Sequence, residues 1–79
     1  MTEATVHKII KYLCVKPANA RTLDQIGEKT ELQTRQVQRY LKYINDNIAR
    51  VIRPQIVTPT TYHIIPEELP KNYKKPLSQ

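Results

Sequence analysis

The chain has 79 residues, of which 13 are Lys or Arg and 7 are Asp or Glu, giving a net charge of +6. This length suits one small domain, and the single cysteine excludes a disulfide framework and the usual structural zinc site, both of which need several. No apolar run approaches the roughly 18 to 20 residues that span a bilayer, and the first ten residues lack a signal-peptide pattern. We therefore expect a small basic protein that is not bound to a membrane.

The first predicted element is an amphipathic helix over residues 3–16, with Thr2 as its N-cap. We expect it to end near Lys16, because a proline at position 17 disfavours helical geometry in the residue before it. The apolar residues recur at the spacing of one helix face and include a cysteine that we expect to be a buried small hydrophobe. They are Val6, Ile9, Ile10, Leu13 and Cys14.

A short second helix is predicted over residues 23–29. Thr22 and Gln25 form a capping box at its start, in which each side chain accepts a backbone N–H of the other residue. Gly27, the only glycine, lies inside this helix at a cost of about 1 kcal/mol relative to alanine. We expect another helix to cross closely there. Residues 30–32 form a tight turn that directs Leu32 into the core.

The third helix is predicted from Thr34 to Asn45–Asn47, with Gln33 near its N-cap. Its residues separate into two faces when they are placed at 100° intervals. The apolar face holds Val37, Leu41, Ile44 and Ile48. The opposite polar face holds Arg35, Gln38, Arg39, Lys42 and Asp46.

The charge is concentrated around this helix. Residues 33–53 carry five basic side chains and one acidic side chain, so they hold +4 of the total +6. Such a concentration is typical of a surface that binds a polyphosphate. A solvated face that keeps the protein soluble has the same composition, so charge alone does not decide between the two.

A β-hairpin is predicted after the third helix. Residues 49–57 are β-branched and interrupted by Pro54, residues 58–61 have turn composition, and residues 62–65 form a returning strand. Residues 66–79 contain several prolines and lysines and are predicted to be an extended tail. The predicted fold is therefore α+β: three helices followed by a two-stranded hairpin wing over residues 1–65, which is a winged helix-turn-helix arrangement.

The segment from Thr22 to Ile44 resembles the N-terminal DNA-binding segments of WYL and DeoR-type bacterial repressors. Those segments have a second helix that opens with Thr-Leu, a small residue in its middle, and a turn that ends in Leu before Arg-x-Val-x-Arg-x-Leu. The matching residues here are Leu23, Ile26, Gly27, Leu32, Arg35, Val37, Arg39 and Leu41. Glu31 departs from the pattern because the family often has a turn glycine there. The resemblance covers only the DNA-reading part of those repressors and not their ligand-sensing domain.

The resemblance implies that the third helix enters the major groove of double-stranded DNA. The residues implied to face base edges are Thr34, Arg35, Gln38 and Arg39. Those implied to contact phosphates or the minor groove are Arg21, Thr22, Lys42, Arg50, Arg53, Thr58, Thr60 and Thr61. We expect a cytoplasmic transcription regulator of bacterial or phage type, and the sequence leaves repression and activation open. We expect it to bind as a homodimer, or repeatedly, on half-sites about 34 Å apart.

A second hypothesis is a protein-interaction module whose basic face docks on, or inhibits, an acidic protein partner. Binding to RNA is less favoured, because the aromatic residues are not arranged as stacking pairs on a sheet. An enzyme is the least favoured class, because no nucleophile and base are paired in the sequence. His7 and His63 have no partners at a metal-binding spacing. We expect no cofactor and no site for a small-molecule effector.

Overall fold

Three helices and a two-stranded antiparallel sheet make up the computed structural model, which describes residues 2–54 and 57–70. The α+β class and the order of the helices are thereby confirmed. The elements are α1 (Glu3–Leu13), β1 (Arg21–Thr22), α2 (Leu23–Thr30), α3 (Thr34–Asn47) and β2 (Thr61–Tyr62). Within these residues no helix is both long enough and apolar enough to cross a membrane.

The core lies where the apolar faces of the three helices meet. The predicted apolar faces of α1 and α3 are confirmed as buried, although Cys14 and Ile48 are only half-buried at the edge of the core. The buried apolar residues are Val6, Ile9, Ile10, Leu13, Ile26, Val37, Leu41, Ile44, Ala49, Ile64 and Leu69. Because every helix contributes to one cluster, α2 and α3 are held in a fixed relation by the packing beneath them.

Helix α1 ends at Leu13, three residues before the predicted end. In a continuing helix the Leu13 carbonyl would accept the N–H of residue 17, but that residue is proline and has no N–H. The carbonyl instead accepts the backbone N–H of Val15 at 2.8 Å and that of Ile64 at 2.9 Å. Lys16 is extended, at φ −67° and ψ 150°, as expected for a residue before proline. Pro17 thus shortens α1 and makes the Leu13 carbonyl available to Ile64, which lies two residues after β2.

The predicted hairpin is wrong in its pairing. The first predicted strand makes only one isolated bridge, between Ile52 and His63, whose N–H and C=O groups join at 2.8 Å in both directions. The next hydrogen-bonded position along this strand is Pro54, which has no N–H to donate. The ladder therefore stops after one rung. Residues 55 and 56 lie outside the described residues.

Strand β2 pairs instead with β1, a strand that the sequence did not predict. The register places Arg21 opposite Tyr62 and Thr22 opposite Thr61. This pairing joins the segment between α1 and α2 to the segment after α3. The sheet is therefore built from residues about 40 positions apart and not from a local hairpin.

The start of the predicted tail is not extended. Pro66–Glu68 forms one turn of 3₁₀ helix, and the N–H of Leu69 donates to the Pro66 carbonyl at 3.1 Å. The Leu69 side chain is only 6% exposed and belongs to the core. An apolar side chain within reach of the core leaves water, and this holds the segment against the helices. The rest of the predicted tail, residues 71–79, lies outside the described residues.

Gly27 has the predicted helix nearby, since Val37 Cγ2 of α3 would lie 3.9 Å from an added β-carbon, but the closest approach comes from the backbone of the turn. A β-carbon at this position would lie 2.8 Å from the Leu32 carbonyl oxygen. The Gly27 carbonyl also accepts the N–H of Leu32 at 3.0 Å. The turn after α2 therefore folds back directly onto the middle of that helix.

Glu31 has the left-handed conformation at the end of α2, with φ 60° and ψ 35°. Glycine is the residue most often found there, because a β-carbon is crowded by its own backbone in this conformation. Glu31, which stands where the repressor pattern often has glycine, is therefore strained by its backbone conformation.

We expect Gly27→Ala to lower the free energy of unfolding by about 1–3 kcal/mol, because the clash with the Leu32 carbonyl outweighs the better helix propensity of alanine. Urea denaturation followed by circular dichroism measures this change. Glu28→Ala, at an exposed position of the same helix, is the control and should change stability little. A Gly27→Ala protein more stable than the parent would contradict the close approach.

We expect Glu31→Gly to raise the free energy of unfolding by about 0.5–1 kcal/mol, because relief of the left-handed strain exceeds the added flexibility of the unfolded chain. The same denaturation experiment measures it, with Gln33→Gly as a control outside the left-handed region. Equal destabilisation by both substitutions would show that Glu31 is not strained.

Candidate functional site

The polar face of α3 is exposed along its whole length. Val37, Leu41 and Ile44 on the opposite face are buried, so the side chains at the intervening positions point to solvent. The exposed residues of this face are Thr34, Arg35, Gln38, Arg39 and Lys42. The structure thus brings the five predicted α3 contacts together on one surface, which we call the α3 polar face.

The start of α3 is fixed by Gln33 and Gln36. Gln33 is the N-cap, as predicted, and its backbone N–H donates to the Gln36 side-chain oxygen at 3.0 Å. This hydrogen bond satisfies a backbone donor that the helix itself leaves unpaired. It also fixes the first turn of the helix, which carries Thr34 and Arg35.

The cations of the α3 polar face differ in their partners. Lys42 Nζ lies 3.3 Å from Asp46 Oδ2, one helical turn away, and both side chains are at least half exposed. A hydrogen bond from the Asn45 side chain, and then the contact with Lys42, lower the pKa of Asp46. Among the described residues, neither Arg35 nor Arg39 forms an ion pair with a carboxylate. The two arginines therefore present their charge without an acidic partner.

Arg21 and Thr22 both have structural contacts. The Arg21 guanidinium lies 4.4 Å from the centroid of the Tyr12 ring, and its Nε donates to the Tyr12 carbonyl at 3.5 Å. Lys29 Nζ lies 5.7 Å from the same ring. The predicted capping box is confirmed, since Thr22 Oγ1 accepts the Gln25 N–H at 3.2 Å. Their contacts with DNA stay predictions.

Arg50 is bound to the chain's own C-terminal segment. Its Nε and Nη2 atoms donate to the two carboxylate oxygens of Glu68 at 3.1 and 2.7 Å. This two-point hydrogen bond lowers the pKa of Glu68 and raises that of Arg50. Both groups are at the surface, so the pair is accessible to solvent and to other anions. The Arg50 guanidinium is therefore not a free cation.

The remaining predicted contacts lie near the strands. Arg53 is exposed just after the Ile52 bridge, and Thr60 is half-buried just before β2. Thr58 is exposed, and Thr61 lies in β2. These four residues lie in or near the segments that form the Ile52 bridge and β2, whereas the α3 polar face lies on a helix.

Three functional neighbours were missed by sequence reasoning. Glu68 could not be paired with Arg50, because the two residues are 18 positions apart in sequence and have no fixed spacing until the fold is known. Tyr12 was not connected to Arg21 for the same reason. Asn45 accepts the Val51 N–H at 3.0 Å and so fixes the chain after α3, a contact without a sequence signal. By contrast, the pairing of Lys42 with Asp46 can be predicted from the sequence, because the two residues are four positions apart on a helix.

His63 is 4% exposed, and its buried Nδ1 atom has no hydrogen-bond partner in the described part of the chain. It borders a surface pocket of about 500 Å³ together with Cys14 and Glu67. Within residues 2–54 and 57–70, no group of three or more His, Cys, Asp or Glu side chains is arranged to hold a metal ion. The pocket therefore offers no basis for a metal-binding role.

Comparison with protein-family models found no matching family, and comparisons with curated proteins and with solved structures found no match. The resemblance to WYL and DeoR-type repressors stays a prediction.

We expect Arg50→Gln to return the pKa of Glu68 toward its ordinary value, because the guanidinium is the main cause of its lowering. A carboxyl group with a lowered pKa stabilises the fold above its unfolded pKa, and this contribution is lost as the pH falls through the folded value. Arg50→Gln should therefore reduce the acid dependence of stability. NMR titration of the Glu68 carboxyl carbon tests this, with Lys42→Gln as the control. An unchanged Glu68 titration in Arg50→Gln would contradict the ion pair.

Proposed function

We propose that the chain is a sequence-specific regulator that binds double-stranded DNA through a winged helix-turn-helix domain. The observation that carries the proposal is the α3 polar face, where arginine and glutamine side chains are exposed and the two arginines have no acidic partner among the residues that the structure describes. Arginine and glutamine are the side chains that make two-point hydrogen bonds to guanine and adenine in the major groove.

The connection between α2 and α3 supports this proposal. Only residues 31–33 separate the two helices, and helix-turn-helix motifs have a turn of three to four residues. The capped N-termini of both helices and the close approach of Gly27 to Leu32 hold the unit in one geometry. A fixed second helix supports the third in a position where its first turns can enter the groove.

Roles within the α3 polar face follow from position along the helix. The N-terminal residues of a recognition helix contact base edges, so we assign Arg35 and Gln38 to base recognition, with Thr34 and Arg39 beside them. Lys42 lies one to two turns further along and suits a phosphate, which a point charge binds without sequence preference. Asp46 competes for Lys42 and limits the strength of that contact.

A domain of this size contacts few base pairs, and we therefore propose a homodimer or repeated binding on half-sites about 34 Å apart. Occupancy of an operator would be sufficient for repression. Docking on an acidic protein is the competing function, and it would use the same exposed cations.

The first experiment is selection of binding sites from random duplex DNA by the purified full chain at two salt concentrations. A recovered motif, as a palindrome or a spaced repeat, supports the proposal and gives the half-site geometry. Salt-sensitive retention without a motif would mean that the α3 polar face attracts phosphate without reading sequence. Failure to retain any duplex would direct the search to an acidic protein partner.

We expect Arg35→Ala to lose about 1–3 kcal/mol of discrimination at one base pair of the selected site, because it removes a base contact. Lys42→Ala should weaken binding to all duplexes alike and reduce the salt dependence by about one counterion. Fluorescence anisotropy with the selected site and its single-base variants measures both effects.

Lys8→Ala is the matched control for these two variants, since it removes one exposed positive charge from α1. Its effect should be small and independent of sequence. Equal losses on all duplexes from Arg35→Ala and Lys42→Ala would contradict the division between base and phosphate contacts.

A further inference from the structure

The end of the described chain forms a short strap, residues 66–69, next to the exit of α3. One turn of 3₁₀ helix and the buried Leu69 side chain hold the strap in place. Glu68 lies between these two anchors, and its carboxylate meets the Arg50 guanidinium with both oxygens. The pair thus joins the strap to the residue that follows buried Ala49.

A carboxylate and a phosphate present the same geometry to arginine. Each offers two oxygens to the planar guanidinium fork, which binds either through two parallel hydrogen bonds. Glu68 uses Nε and Nη2, so a phosphate that approaches this edge of Arg50 must first displace the carboxylate. Displacement is feasible, because the Arg50 side chain is 69% exposed and exposed ion pairs are weak.

We propose that Glu68 is an intramolecular competitor of the DNA phosphate for Arg50, so that the strap lowers the affinity of the domain for every duplex. This inference rests on the proposed function. The strap keeps the carboxylate beside Arg50 at a high effective concentration, which a mobile acidic residue would not achieve. Through its Nε and Nη2 edge, Arg50 contributes to duplex binding only to the extent that it leaves Glu68.

The chain provides a matched control for this competition. Glu67 is the neighbouring carboxylate on the same turn. It is exposed, and it does not pair with Arg50. Glu67→Gln and Glu68→Gln therefore change the net charge equally, but only Glu68→Gln releases Arg50. Glu68→Asp is a further variant that keeps the charge and shortens the side chain, which breaks the two-point contact.

We expect Glu68→Gln to bind duplexes of every sequence about two- to fivefold more tightly than Glu67→Gln, with a salt slope steeper by about one counterion. Glu68→Asp should show part of this gain. In an Arg50→Gln background the advantage of Glu68→Gln over Glu67→Gln should disappear. Anisotropy titrations over a range of salt concentrations measure these effects, and circular dichroism verifies that each variant is folded.

Equal affinities of Glu67→Gln and Glu68→Gln would overturn the competition, as would a gain that persists without Arg50. If binding is then still sequence-specific and dependent on Arg35, only this inference fails and the proposed function stands. If neither the parent protein nor Glu68→Gln binds any duplex, both proposals fail together.

Discussion

The fold depends on one carbonyl that proline leaves without a helical partner. Pro17 cannot donate to the Leu13 carbonyl, so α1 ends and that carbonyl receives the Ile64 N–H. This hydrogen bond brings the segment after α3 back to the end of α1. Ile64 then becomes fully buried, and the neighbouring residues of β2 lie beside β1. The missing donor at position 17 thus leaves an acceptor for the segment around Ile64, and the burial of the Ile64 side chain supports the same packing.

Local patterns were sufficient to predict the helices. Each helix has an apolar face that repeats within a few residues, and α2 and α3 also have capping residues next to their first turns, so the information for the three helices lies inside each segment. The strand pairing was not predictable in this way. It depends on which backbone groups are left unpaired after the helices pack, as for Ile52 beside Pro54 and for Thr22 opposite Thr61. Leu69 shows the same limitation, because one leucine among prolines has no periodicity to indicate burial.

The candidate site also has one part that local sequence patterns predict and one part that depends on long-range packing. The α3 polar face follows from helical spacing alone, and the pairing of Lys42 with Asp46 follows from the same spacing. The pairing of Arg50 with Glu68 requires the strap to be folded against the core first. Sequence therefore identified the charged residues of the surface but not which charges are already compensated. Whether a cation is already paired with a carboxylate decides how strongly it can attract another anion.

The approach of the Leu32 carbonyl to Gly27 has a consequence for how the chain can vary in length. The turn before α3 cannot accommodate an extra residue without moving α3, because its backbone packs against the middle of α2. One inserted residue between Leu32 and Thr34 would rotate α3 by about 100° about its axis relative to that anchor. The arginines would turn toward the core, and Val37 and Leu41 would turn toward water. A change of length at residues 57–60, which are not in a helix, would leave the register of α3 on α2 unchanged.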